Sequence, residues 1–211
     1  MPIAYHPSMN IRLLLLAAAS SLPVAAQQPP APSTYTVELV LFRAATALGG
    51  AENWSAEGAA GPATRGEDNA STGPQFAQLI GTLPESQFQL TDVANKLRST
   101  GVYVPVAHVA WTQTASAWGK HVGFPVDKLG LNVEGLTGTV SLERGQFLHL
   151  GLALSYAMPN PPAGVGAAPG TPFTLNENRR VKFYERNYYD HPAFGVIALV
   201  TPSRDARPAG R

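Results

Sequence analysis

The stretch Asn176–Pro202, NENRRVKFYERNYYDHPAFGVIALVTP, constrains this chain more than any other. Arg179, Arg180, Lys182 and Arg186 set four positive charges against Glu185, and Phe183, Tyr184, Tyr188 and Tyr189 are interleaved with them. Asp190-His191-Pro192 breaks the run, because proline has no amide proton and disfavours helix in the residue before it. Phe194 to Val200 is then an apolar run closed by Thr201-Pro202, the pattern of a buried strand. A charged arm joined to an apolar arm predicts a hairpin with one buried face. Residues two apart on a strand share a face. Arg180, Lys182, Tyr184, Arg186 and Tyr188 therefore form one outward ladder, and Arg179, Val181, Phe183 and Glu185 turn toward the core. Asp190 is expected to close the turn by accepting from backbone amides.

The N-terminus reads as a targeting segment. Arg12 precedes the apolar run Leu13–Ala19, and Val24-Ala25-Ala26 offers small residues before Gln27, as signal-peptidase cleavage requires. The run is too short to span a bilayer as a helix, and Met9 is an alternative start. Residues 1–26 are thus a signal peptide, 27–33 a proline-rich tether, 34–203 one domain and 204–211 a solvated tail. Export without a cysteine after the apolar run predicts a soluble exported protein and not a lipoprotein.

Within the domain, Tyr35–Arg43 has apolar residues on both alternating faces and should be an interior strand. Residues 55–74, rich in Gly, Ala, Ser and Thr, read as a flexible insertion. Phe76, Leu79 and Ile80 suggest a short helical turn. Thr91–Ser99 is the clearest helix, with Thr91 or Asp92 as N-cap and Gly101 as its stop. Val102–Gln113 is a second strand, pushed toward an edge or a bulge by Pro105. The order strand, helix, strand suggests a βαβ-like or split crossover, with the helix on one sheet face. Residues 114–134 form a loop apolar enough to pack down. Leu136–Glu143 and Gln146–Tyr156 make the strongest hairpin signal, with Leu148, Leu150, Leu152 and Leu154 on one face and His149 on the other. The sum is an α+β fold: a mixed, mainly antiparallel sheet of about six strands with one main helix.

Hydrophobic residues make up 45% of the chain and charged residues 14%, enough apolar material for a core. Removing residues 1–26 takes away Arg12 and no carboxylate, leaving fourteen cations against fourteen acids. With neutral overall charge, nucleic acid is not an expected partner, and recognition must come from a local cluster. The absence of cysteine excludes disulfides and thiolate chemistry. His108, His149 and His191 with Asp190 admit a metal-dependent hydrolase as an alternative, but no His pair has ligand spacing. No nucleophile elbow, phosphate loop or dinucleotide fingerprint occurs. The reading is therefore of a protein without catalytic residues, metal or cofactor. A further alternative is an adaptor whose cations dock an acidic protein.

The ordered series Phe42-Arg43, Glu52-Asn53-Trp54, His108 with Trp111-Thr112-Gln113, Gly145–Leu150, Arg179-Arg180, Tyr189–Pro192 and Phe194-Gly195-Val196 resembles the CsiV family of peptidoglycan-binding proteins of Gram-negative bacteria. The chain departs from that pattern at Asn187 and Tyr188, where the family tends to place a histidine. The resemblance implies a periplasmic, non-enzymatic protein that binds peptidoglycan. It further implies support of a class A penicillin-binding protein through that synthase's outer-membrane lipoprotein activator. Peptidoglycan offers apolar sugar faces and stem peptides ending in carboxylates, which aromatic rings and guanidinium forks match. The candidate ligand contacts are Arg179, Arg180, Lys182, Tyr184, Arg186, Tyr188, Asp190 and His191.

Overall fold

The computed structural model describes residues 34–46 and 76–203. The signal segment, the tether, Glu52-Asn53-Trp54, the 55–74 insertion and the tail lie outside the described residues. Ten strands form two sheets: β1 (Thr34–Ala44), β2 (Leu79–Thr82), β3 (Tyr103–Thr114), β4 (Ser116–Ala117), β5 (Gly123–Pro125), β6 (Leu136–Arg144), β7 (Leu148–Ala157), β8 (Pro172–Val181), β9 (Arg186–Asp190) and β10 (Phe194–Pro202). The first sheet runs β2-β3-β1-β10-β9; the second runs β4-β6-β7-β8, with β5 also paired to β6. The fold is α+β, but its strands divide between two facing sheets where one sheet was expected.

The division follows from which apolar residues share a face. Tyr35, Val37, Leu39 and Leu41 of β1, Val196, Ala198 and Val200 of β10, and Trp111 of β3 form one wall of the core. Val140 and Leu142 of β6, Leu148 to Leu154 at alternate positions of β7, and Phe173 and Leu175 of β8 form the other. β1 is interior, as its two apolar faces require, paired with β3 and β10. The β6–β7 hairpin pairs Leu136 with Tyr156 through to Arg144 with Leu148.

Other elements differ from expectation. β1 and β3 are antiparallel, so the intervening helix is not a parallel crossover. Residues 79–82 are a strand on β3 and not a helical turn, since four residues are too few to display a period. Pro105 does coincide with a bulge between β3 and β1. The loop after β3 packs down: the backbone amide and ring of His121 meet the carboxylate of the fully buried Glu143.

The helix α1 (Thr91–Thr100) lies on the outer face of the first sheet, where Leu90, Ala94, Val93 and Leu97 meet Val40, Ile197 and Leu199. It ends at Gly101, whose φ of 67° is a left-handed conformation open to glycine. Its N-cap is Leu90, which offers no side-chain bond; neither Thr91 nor Asp92 caps it. The cap comes instead from β1. The buried Glu38 carboxylate accepts from the amides of Gln89 at 2.8 Å and Leu90 at 2.7 Å, and His108 Nε2 lies 2.7 Å away. A fixed anion there also meets the positive end of the helix dipole.

Candidate functional site

The expected cationic ladder is cut in two. β8 ends at Val181, and Lys182 to Glu185 turn the chain out of the second sheet into the first. Tyr184 adopts φ 63°, which is uncommon for a bulky side chain, and its amide donates to Val200 O at 3.0 Å. The two arms expected to pair with each other do not: β8 pairs with β7, and only β9 forms the hairpin with β10. Arg180 and Lys182 therefore sit on one side of the turn, and Arg186, Tyr188, Asp190 and His191 on the other. Tyr184, 69% exposed, occupies the turn between them.

Arg179 belongs to neither group. Its guanidinium lies 4.4 Å from the Tyr189 ring centroid, donates to Tyr188 O at 2.8 Å and pairs with Glu177. It clips the edge strand of one sheet to the edge strand of the other. Tyr189 is buried beneath it and donates its hydroxyl to Leu150 O at 3.1 Å; burial raises its pKa, against the opposing charge of Arg179.

On the first side, Arg180 and Lys182 join Arg144 around a cavity of about 220 Å³ at the end of the β6–β7 hairpin. Phe147 and Phe183 supply its aromatic lining, and no carboxylate lines it. The Arg180 guanidinium stacks 3.4 Å from the Phe147 centroid, and among the described residues no carboxylate pairs with it. Phe183 stacks on Tyr35, whose hydroxyl accepts from Arg144 at 2.8 Å, so the cradle is anchored to both sheets. Lys182 is 3.7 Å from Glu185, at a mostly exposed pair that solvent weakens. Arg144 was legible in the sequence only as a hairpin-turn residue. Its place in the cradle depends on the β6–β7–β8 register, which sets Arg144 in one row with Leu148 and Val181, the residue between Arg180 and Lys182.

On the second side, Tyr188 stands between two cavities. One, about 200 Å³, is bounded by Phe42, Tyr103, Tyr188, Asp190 and His191. The other, about 410 Å³, is an apolar groove between α1 and β9, lined by Val93, Leu97, Tyr103, Tyr188 and Ile197, with the Arg186–Asp92 ion pair (2.9 Å) among its polar lining residues. Tyr188 stacks on Phe42 at 6.0 Å and donates its hydroxyl to Asp190 at 2.8 Å. Burial, and then that hydrogen bond, hold the phenol above its usual range. Asp190 thus serves Tyr188, and it is His191 Nδ1 that accepts the turn amide, from Ala193 at 3.1 Å. That bond needs an unprotonated Nδ1. Burial lowers the His191 pKa in the same sense, with the charge of Asp190 opposing.

The three histidines of the hydrolase alternative are dispersed. His108 is engaged by Glu38, His149 stacks on Trp118 at 3.8 Å, and His191 packs on Phe173 and Phe194. Among the described residues no three His, Cys, Asp or Glu side chains gather as metal ligands would. No described helix is long and apolar enough to cross a membrane.

Surface clefts lined by cations, aromatic rings and amides give this two-sheet domain the form of a recognition module. The chain belongs to the CsiV family of peptidoglycan-binding proteins, whose family model matches residues 9–203. No curated protein and no solved structure shows significant similarity to it.

Proposed function

We propose that this protein is exported to the periplasm and binds peptidoglycan there as a non-enzymatic accessory of wall synthesis. It holds stem-peptide carboxylates in the Arg144–Arg180–Lys182 cradle. The observation that carries this reading is a cradle with three cations, two aromatic rings and no lining carboxylate, in a chain of a peptidoglycan-binding family. Guanidinium groups form charge-assisted bonds to carboxylates, and the stacked Arg180 is planar and already oriented for one. The partners in this reading are a class A penicillin-binding protein and its outer-membrane lipoprotein activator. Arg186, Tyr188, Asp190 and His191 then form the helix-side surface that such a protein would meet.

A second reading is favoured by that same surface. The apolar groove beside α1 suits an adaptor that docks a protein without touching the wall. Co-sedimentation with purified sacculi separates the two, using the protein as the cell processes it and an Arg180→Ala, Lys182→Ala variant checked for folding. The wild type is expected in the pellet. The variant should bind about tenfold more weakly, with less sensitivity to added salt. If the wild type stays in solution, wall binding is wrong and the adaptor reading leads. If both pellet equally, the wall is bound elsewhere.

A further inference from the structure

We propose that the outer face of the second sheet carries a separate site for the sugar strand of the wall, a trough that reads acetamido sugars by their amide and hydroxyl groups. The inference rests on the peptidoglycan reading above and adds to it a place and a ligand class. Strand register puts Thr139, Ala153 and Asn176 in one row across β6, β7 and β8, and Ser141, Gly151 and Asn178 in the next. These six residues, with His121, Leu152 and Glu177, line a cavity of about 190 Å³, with a hydroxyl wall from β6, an amide wall from β8 and a floor of Gly151 and Ala153.

The floor is the informative part. Gly151 lies inside a strand with no left-handed φ, so the backbone conformation does not call for glycine. What a side chain there would do is fill the trough: an added Cβ runs into the Ser141 hydroxyl and meets Asn178 at 3.6 Å. A glycine within a strand costs stability and marks either a bulge or a close approach by another group. The β6–β7–β8 register has no bulge at this point. The group that approaches is the Ser141 hydroxyl, which glycine lets lie over the floor beside Asn178, bringing a hydroxyl and an amide together in the trough.

The chemistry of the walls selects the ligand. Of the ionisable residues at its rim, His121 is paired with Glu143 and Glu177 with Arg179, and the two rows themselves carry only neutral groups, so the match is to a neutral polar group. A carboxamide offers both donors and acceptors, and Ser and Thr hydroxyls offer both as well. An acetamido sugar presents the complementary set, an amide beside ring hydroxyls. The trough also leads toward the cradle. Asn178 and Arg180 are two apart on the same face of β8, about 7 Å along the strand. A sugar strand seated over Asn176 and Asn178 thus points its next substituent at Arg180.

The test uses the full chain as processed on export, with two ligands: intact sacculi, and glycan strands freed of stem peptides by an amidase. Asn176→Ala with Asn178→Ala removes the amide wall. Ala153→Ile, at an exposed strand position, fills the floor without touching it. Each is expected to weaken binding to peptide-free strands about tenfold. Arg180→Ala should reduce binding to sacculi about tenfold. A β-linked glucan without acetamido groups should not bind. Thermal unfolding checks that each variant is folded. Wild type that binds sacculi but not bare strands overturns the trough and leaves the wall reading intact, as do trough variants that bind strands normally. Equal binding to the glucan overturns the acetamido assignment. Wild type that binds neither sacculi nor strands overturns both.

Discussion

The outer faces of the two sheets teach opposite lessons. On the first, Val40 and Leu199 are buried and Ile197 partly so, and these apolar side chains require a cover; α1 supplies it. On the second, the outward residues of β6, β7 and β8 include Thr139, Ser141, Gly151, Ala153, Asn176 and Asn178, which form an open trough, while one row further on His121 meets Glu143 and Trp118 stacks on His149. One face has consumed the helix in building its fold. The other is covered by a loop at one end and open at its centre, where small residues make it concave. The same contrast divides the charged stretch around Tyr184: Arg180 and Lys182 belong with the open face, Arg186 and Tyr188 with the covered one.

The strongest way to break the contrast is to weaken the cover. Leu90 is fully buried between α1 and the sheet, so Leu90→Ala should cost roughly 2–5 kcal/mol in urea unfolding. Asn178→Ala on the exposed face should cost less than about 0.5 kcal/mol. Comparable losses at the two positions would mean that the second face is also under structural load. A smaller effect is expected at the clip between the sheets. Arg179→Ala removes a cation–π contact and a hydrogen bond and should cost about 1–2 kcal/mol in the same measurement. Sacculus binding by that variant should be unchanged once it is folded; a selective loss of binding would move Arg179 into the ligand site.

The smallest effect is a pH dependence from the covered side. His191 is held neutral by burial, with Asp190 opposing, so its folded pKa lies below the unfolded value. The stability it contributes is present above the unfolded pKa, near 6.5, and is lost as pH falls through the folded one. Unfolding free energy should decline on acidification below about pH 6.5, and His191→Asn should flatten part of that slope. An unchanged slope would show that His191 does not carry it.

Much of this fold was legible along the chain. The two apolar faces of Tyr35–Arg43 called for an interior strand, and the alternation of Leu148 to Leu154 fixed which face of β7 is buried. Gly101 ended the helix where a left-handed residue was needed. The helix cap was not legible, because Glu38 comes from a strand more than fifty residues earlier. The turn at Lys182–Glu185 was hidden because it contains no Gly, Asn, Asp or Pro; its left-handed residue is a tyrosine.

The sequence by itself determined the longer local periods: which long stretches are strands, which is the helix and where it stops, which faces are apolar, and what chemistry the charged stretch carries. Those properties depend on neighbours a few residues away. Only the tertiary structure decided how the strands divide between two sheets, that Arg144, Arg180 and Lys182 line one cavity, and that Gly151 and Ala153 lie between a hydroxyl wall and an amide wall. These depend on pairing between distant segments, and a strand with a polar face reads the same in either sheet until its partner is known.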